Sequence, residues 1–180
     1  MDALRFYGVR DIRFEEAPEP IIETDSEVKI KVKAVGICGS DIHRYALLGP
    51  YVHGTVWGHE FSGEVVAVGK NVTKVKVGQK VTACPALYCG KCDSCKKAKF
   101  AQCENLGVIG QHHQGAFAEY IVMEEENVVP VPENVSYDAA AMVEPSCVVA
   151  HGYYKVNLDP GDTVAVVGLS LIHISEPTRL

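Results

Sequence analysis

The chain has 180 residues, 47% of them hydrophobic, and a formal net charge of −6 at pH 7. This size allows a sizeable buried core and suggests one domain, or one domain with a piece of another. The negative charge argues against a nucleic-acid or anionic-membrane partner, since either would need a clustered basic surface. The N-terminus has no signal-peptide pattern, and the longest nearly apolar run, 164–174, is too short to span a bilayer. We therefore expect a cytoplasmic protein.

The N-terminal part of the sequence alternates polar and apolar residues with the period of a β-strand. Residues 4–14, with Gly8 at the turn, predict a hairpin with one buried face. Residues 28–35 predict a strand whose lysines face water. Similar patterns cover 59–69, 79–83, 115–123 and 127–132. Short strands at this spacing indicate a mainly β fold, either a barrel or a sandwich.

The loop 36–43 places a thiol, a hydroxyl, a carboxylate and an imidazole within six residues. Core packing does not require such a density of polar groups. Ser40 or Asp41 could cap a short helix running through Tyr45. Capping and chemistry are compatible, and we favour a chemical role for this loop.

His59 lies beside Glu60 at the start of a glycine-bounded apolar strand. An isolated histidine is more often a hydrogen-bonded or surface residue. Here Cys38 upstream and Glu144 downstream supply partners that zinc accepts. Glu144 lies at a predicted break between a helix that starts near Ser136 and a second helix, where it could instead complement a helix dipole. Three protein ligands would leave one position open, as catalytic zinc requires.

A second cysteine pattern is the most specific signal in the chain. The seven cysteines are expected to be reduced in a cytoplasmic protein, so metal binding is favoured over disulfides. Two C-x-x-C steps and a fourth cysteine match closed tetrahedral zinc coordination by Cys89, Cys92, Cys95 and Cys103. A rubredoxin-like iron, an iron–sulfur cluster and a redox C-x-x-C are the alternatives. The two remaining cysteines, Cys84 and Cys147, are predicted to be buried small hydrophobes.

The pattern changes near the C-terminus. Residues 163–168 form an aliphatic run typical of a strand in a parallel sheet. Gly168 could open a glycine-rich dinucleotide-binding turn, but the rest of G-x-G-x-x-G does not follow. We expect 170–180 to be a non-native tail. The pair His112-His113 is predicted to lie in a surface loop.

With these motifs the chain resembles the zinc-dependent medium-chain alcohol and polyol dehydrogenases. The resemblance covers 1–169, and Glu144-Pro145 resembles the polyol branch, such as the sorbitol and galactitol-1-phosphate dehydrogenases. It implies a mainly β, GroES-like zinc catalytic domain over 1–150. The first helix and strand of a truncated α/β Rossmann domain would follow over 151–169, with a non-family tail over 170–180.

The resemblance also implies roles for the site residues. Catalytic zinc would be held by Cys38, His59 and Glu144, with Glu60 as a fourth or exchanging ligand. Ser40 and His43 would relay the alcohol proton to solvent, and Asp41 would orient His59. The lobe of Cys89, Cys92, Cys95 and Cys103 would hold a structural zinc. His151 could face the cofactor, although core packing is the favoured prediction for it.

The implied reaction is oxidation of a secondary alcohol of a polyol or polyol phosphate to the ketone with NAD, for which Gly168 is the only contact assigned. The full-length form would be a dimer or tetramer, and this fragment is expected to bind zinc but to be inactive alone. One alternative is a stand-alone zinc-binding module that acts by binding a partner. Another is a quinone reductase-like relative without catalytic zinc, which retention of Cys38, His59 and Glu144 opposes.

Overall fold

The computed structural model describes residues 1–156 and 158–165. Residues 1–146 form one compact unit and 147–180 a second. The strands are β1 (Asp2–Gly8), β2 (Asp11–Glu16), β3 (Glu27–Gly36), β4 (Thr55–Val56), β5 (Glu60–Val68), β6 (Lys80–Ala83), β7 (Ala86–Leu87), β8 (Gly107–Val108), β9 (Tyr120–Glu124) and β10 (Val128–Pro130). The helices are α1 (Gly39–His43), α2 (Asp93–Lys96), α3 (Tyr137–Ala141) and α4 (Val143–Tyr153), with a π-helical turn at Arg44–Leu48 and 3₁₀ turns at Phe100–Gln102 and Glu125–Asn127.

The strands form three antiparallel sheets. The largest has five strands in the order β10-β6-β5-β3-β9, the second has the order β2-β1-β4, and β7 pairs with β8. The predicted mainly β fold is confirmed. The five-stranded sheet joins strands that are distant in sequence, so loops at its ends bring separate parts of the chain together.

The main core lies against the five-stranded sheet. On β3, Val28 and Ile30 are fully buried, whereas Lys31 and Lys33 are exposed, which confirms the alternation in the sequence. β5 is the central strand, and its first four residues are all buried. A Cβ at Gly63 would lie 2.4 Å from the carbonyl oxygen of Lys31. Glycine therefore lets β3 and β5 approach closely between the two register shifts of their ladder.

The N-terminal hairpin forms as predicted, but its burial differs from the prediction. Leu4 pairs with Phe14 and Phe6 with Ile12. Phe6 is fully buried, whereas Phe14 is 71% exposed. β2 is an edge strand of its small sheet, and among the described residues no layer covers Phe14, so the prediction of one buried face is wrong for β2.

One helix prediction and two strand predictions can also be compared with the structure. Ser136 caps α3 as expected, since its Oγ accepts the N–H of Ala139 at 3.1 Å. Only the second half of the predicted strand 115–123 is a strand, namely β9. The described part of the predicted strand 163–168, residues 163–165, has no strand structure. Gly168 and the predicted tail 170–180 lie outside the described residues.

Three burial predictions are wrong. Cys84 and Cys147, predicted to be buried, are both exposed. His151, for which core packing was favoured, is also exposed, and α4 buries none of its side chains. His112 and His113 are exposed, as predicted. Within the described residues, no helix has the length and apolar character needed to cross a membrane.

Candidate metal centres

The first candidate metal centre lies at the end of the β3–β5 pair. One ligand atom from each of Cys38, His59 and Glu60 lies within 4.8 Å of the others. His59 and Glu60 are buried and Cys38 is half-buried. The register explains the grouping, since Gly36 at the end of β3 pairs with Glu60 at the start of β5. Cys38 therefore lies two residues after Gly36, and His59 lies one residue before Glu60.

The start of α1 fixes Cys38. Cys38 is the N-cap residue, with extended backbone geometry, and its N–H donates to Asp41 Oδ2 at 3.0 Å. The sequence interpretation placed the cap at Ser40 or Asp41, two or three residues too late. Asp41 instead acts from the third helical position, where a carboxylate can accept the N-cap N–H. Burial raises the pKa of the Cys38 thiol, and the nearby Glu60 carboxylate raises it further, while hydrogen bonding from Ser40 opposes both.

Asp41 also faces His59. Its Oδ1 lies 3.7 Å from His59 Nδ1, beyond hydrogen-bonding distance, and both side chains are almost fully buried. His59 Nδ1 is buried without a hydrogen-bond partner among the described residues. Burial raises the pKa of Asp41, and the neighbouring imidazole opposes that shift. An unpaired imidazole nitrogen beside a buried carboxylate fits a metal-ligand histidine whose ring is oriented by a carboxylate.

Space for the Glu60 carboxylate exists because residue 36 is glycine. A Cβ at Gly36 would lie 2.5 Å from Glu60 Oε2 and 3.2 Å from Glu60 Cβ. Any side chain at this position would displace the carboxylate from the ligand cluster. The sequence pattern predicts Gly36 only as the end of a strand, because its position opposite Glu60 depends on the register of β3 and β5.

Glu144 approaches the cluster from the first turn of α4. It lies outside the group of three ligand atoms within 4.8 Å. Burial raises the pKa of its carboxyl group, the charge of His59 lowers it and that of Glu60 raises it. The charges of both residues therefore act on the Glu144 carboxyl group. Its position depends on α3, where Ser62 Oγ of β5 donates to the carbonyl oxygen of Tyr137 at 2.6 Å.

The predicted relay residues lie on α1. Ser40 is exposed at the second position of α1, and His43 is exposed one helical turn later. Their role in a proton relay stays a prediction.

A backbone clamp, defined here as the segments 56–58 and 114–117, holds the residues that precede His59. Ala116 N–H donates to Gly58 O at 2.9 Å, Phe117 N–H to Trp57 O at 2.6 Å, and Gly115 N–H to Val56 O at 2.8 Å. A Cβ at Gly115 would lie 2.4 Å from Gly58 O. No sequence motif indicates this clamp, although Gly115 opens a predicted strand.

The second candidate centre is the four-cysteine lobe. The sulfur atoms of Cys89, Cys92, Cys95 and Cys103 all lie within 4.8 Å of one another. Backbone N–H groups of Cys89 and Asn105 donate to Cys103 Sγ at 3.3 and 3.4 Å. Backbone N–H groups of Lys91 and Cys92 lower the pKa of Cys89 to about 6, whereas burial raises that of Cys95 to about 12. Amide donors that stabilise thiolates are typical of a structural metal site.

One side chain fastens the lobe to the sheet. Asn127 Nδ2 donates to the carbonyl oxygens of Cys84 and Ala86 at 3.0 and 2.9 Å, and Cys84 N–H donates to Asn127 O at 2.8 Å. The base of the lobe is thereby held independently of its cysteines.

One cavity of about 750 Å³ is lined by none of the proposed metal ligands. It is lined by parts of β1, by residues 17–23 and by β9. The location of the candidate site therefore rests on ligand geometry rather than on cavity size.

Comparison with known proteins gives consistent matches. Residues 24–133 match the family described as alcohol dehydrogenase GroES-like domain. The chain is 40% identical over 174 residues to sorbitol dehydrogenase of Bacillus subtilis (strain 168), which covers 94% of this chain and 49% of that protein. It is 45% identical over 150 residues to D-arabitol-phosphate dehydrogenase of Enterococcus avium, covering 81% and 42%.

Solved structures agree with these matches. The crystal structure of galactitol-1-phosphate dehydrogenase from Escherichia coli superposes with a TM-score of 0.81 at 34% identity, covering 86% of this chain and 44% of that one. The chain thus spans about half the length, or less, of the relatives that it matches.

Proposed function

The chain belongs to the family of zinc-dependent medium-chain alcohol dehydrogenases with a GroES-like domain, and from that premise we propose that it carries the catalytic zinc site of a polyol or polyol-phosphate dehydrogenase. The reaction would convert a secondary alcohol to the ketone, with NAD as hydride acceptor. We propose Cys38, His59 and Glu144 as zinc ligands, with Glu60 as a fourth or exchanging ligand. The matched relatives named above are polyol and polyol-phosphate dehydrogenases, which supports this substrate class.

The observation that carries the proposal is the buried cluster of Cys38, His59 and Glu60. Its thiol, imidazole and carboxylate are donor types that bind zinc. His59 Nδ1 has no hydrogen-bond partner among the described residues, and Gly36 leaves room for the Glu60 carboxylate. Zinc bound there would lower the pKa of a substrate hydroxyl, so that hydride could leave the adjacent carbon for NAD.

Other residues of the chain would orient the His59 ring and move the alcohol proton. Asp41 would hold the His59 ring, and Ser40 would accept the alcohol proton and pass it toward the exposed His43. Gly168, assigned to NAD from the sequence, lies outside the described residues, so the NAD assignment rests on the family. We propose domain limits of 1–150 for the catalytic domain and 151–169 for the start of the nucleotide-binding domain.

The four-cysteine lobe would hold a second, structural zinc. Four thiolates leave no position for a substrate, so this lobe would stabilise a loop rather than take part in the reaction. The alternative of a stand-alone zinc-binding module accounts for the lobe. It does not explain the cluster of Cys38, His59 and Glu60, called the Cys38 cluster below.

Metal content and metal spectroscopy test the proposal. The purified chain is expected to hold two zinc ions. Replacing the proposed catalytic ion with cobalt should give an absorption band that changes when sorbitol or galactitol is added. Cys38→Ser should remove one ion and this band, whereas Cys92→Ser should remove the other ion and leave the band.

One zinc per chain, retained in Cys38→Ser, would contradict the catalytic assignment. Unchanged metal content in Glu144→Ala would remove Glu144 from the ligand set while leaving the site itself in place.

A further inference from the structure

Arg44 follows α1 directly, and its guanidinium has no ion-pair partner among the described residues. Residue 44 keeps helical backbone angles, so its side chain lies on the same helix face as Asp41, three residues earlier. Within the described residues Arg44 forms no ion pair, and its buried Nε has no hydrogen-bond partner. A buried donor on a charged group is costly to leave unpaired, and such exceptions call for an explanation.

The guanidinium is held in a stack of three side chains. Its Cζ lies 3.4 Å from the centre of the Tyr51 ring, and the Tyr51 and His112 rings are 4.6 Å apart and inclined by 30°. Stacking fixes the plane of the guanidinium and leaves its N–H donors at the edge of that plane. Arg44 is half-buried as a whole, so part of the group remains accessible.

A second stacked arginine in the chain shows the usual arrangement. Arg13 Cζ lies 4.4 Å from the centre of the Tyr7 ring. Its Nε and Nη2 donate to the two carboxylate oxygens of Asp11 at 2.8 and 2.7 Å. Both arginines are thus stacked on tyrosine, but only Arg13 has a carboxylate partner among the described residues. The N–H edge of a guanidinium matches the geometry of a carboxylate or phosphate.

We propose that Arg44, stacked on Tyr51, binds the anionic end of the substrate, so that the site selects a polyol phosphate or a sugar acid over a neutral polyol. The inference rests on the proposed function, because it places the reacting hydroxyl at the Cys38 cluster. The segment 38–48 contains both Cys38 and Arg44. One short segment would therefore position the reacting carbon at its start and the charged end beyond the helix.

Ligand binding to the cobalt-substituted chain tests the proposal. Galactitol, galactitol 1-phosphate and galactonate are titrated while the cobalt band is followed. At least one of the two anions is expected to bind about tenfold more tightly than galactitol, since charge-assisted hydrogen bonds contribute on that scale. Arg44→Met should abolish this preference, and the matched change Arg13→Met should retain it. An equal preference in Arg44→Met and the parent chain would overturn the proposal.

A measurement on the unmodified zinc-bound chain guards against a misfolded variant. The Nε–H resonance of Arg44 is expected to shift saturably with inorganic phosphate, while that of Arg13 stays fixed. An Arg44 resonance that does not respond would overturn the anion site. A cobalt band unresponsive to every polyol would instead contradict the proposed function, and the Arg44 resonance would still decide the anion site.

Which anion binds is read from the same titrations. Tighter binding of galactitol 1-phosphate alone assigns a phosphate, and of galactonate alone a carboxylate. Tighter binding of both assigns the negative charge as the recognised feature. Equal binding of all three ligands to the parent chain contradicts the proposal.

Discussion

Glu144 has opposite effects on the stability of the metal-free protein and on zinc binding. Its carboxyl group is half-buried, and burial raises its pKa above the ordinary value of a glutamate. Without a cation nearby, a buried carboxylate at pH 7 costs free energy, whereas a bound zinc ion would favour the charged form. The same side chain should therefore destabilise the metal-free protein and strengthen zinc binding.

We expect Glu144→Gln to stabilise the metal-free chain at pH 7 and to weaken zinc binding. The folded-state pKa is raised, so the folded protein holds this proton more tightly than the unfolded chain does. That contribution is complete below the unfolded pKa and is lost as the pH rises through the folded pKa. The stabilisation by Gln should therefore appear near pH 7 and vanish near pH 4, and should not exceed about 1 kcal/mol because the carboxylate is partly solvated.

Thermal unfolding of the metal-free protein at both pH values measures this difference. Glu133→Gln is the matched control, because Glu133 is exposed. Destabilisation by Glu144→Gln at pH 7 would show that burial does not determine the pKa of the Glu144 carboxyl group.

Residue types and spacing predicted which side chains could bind metal but not their burial. Cys38, His59 and the four lobe cysteines were found from chemistry and spacing alone. Cys84 and His151 were predicted to be buried because of their residue type, yet both are exposed. Burial depends on which elements pack against a residue, and that information is spread over the whole chain.

Elements of the fold position the ligands through backbone contacts. The backbone clamp pairs 114–117 with 56–58, immediately before His59. Gly115 permits this approach, since its Cβ position is 2.4 Å from a carbonyl oxygen. The clamp contains none of the proposed ligands, so it would act on the metal only through the position of His59.

Gly115→Ala is expected to weaken zinc binding at the Cys38 cluster by 10- to 100-fold, the range typical of residues that support metal ligands. Zinc in the four-cysteine lobe should remain and serves as an internal measure of folding. Competition with a chromogenic chelator gives both affinities. Gly8→Ala is the control, because the nearest atom to its Cβ position is 4.0 Å away. Wild-type affinity at both sites in Gly115→Ala would exclude a positioning role for the clamp.

Periodicity predicted the elements that bury one face and missed those held by distant backbone contacts. The alternation of β3 appears directly in its burial. The pattern predicts 115–119 as part of a strand, but 115–117 bond to the segment 56–58 and the Glu119 N–H donates to Asp2 O of β1. The cap of α1 was misplaced because a cysteine is an uncommon N-cap, and only the hydrogen bond from Cys38 N–H to Asp41 identifies it.

On the scale of the whole molecule, the sheet core and the four-cysteine lobe are separate sources of stability. The main core cluster is built from apolar residues of the five-stranded sheet and its neighbours and includes none of the lobe cysteines. Asn127 holds the base of the lobe from the sheet side. Loss of the lobe metal should therefore unfold the lobe locally.

We expect a strong chelator to remove amide-exchange protection from residues 89–105 while β3 and β5 keep theirs. Local opening of a unit outside the main core need not spread to the sheet. Hydrogen exchange followed by mass spectrometry, with and without chelator, measures this. Equal loss of protection in β3 and β5 would show that the lobe metal supports the entire fold.

The sequence separation of the ligands also determines when each site can form during synthesis. The four lobe cysteines fall within the short segment 89–103, so their sulfur atoms can meet by closing small loops. Cys38 and His59 meet only after β3 and β5 have paired, and Glu144 is added some 85 residues after His59. During synthesis, the chain could thus bind zinc at the four-cysteine lobe before it could bind zinc at Cys38, His59 and Glu144. Zinc shortage during translation would leave the two sites filled unequally.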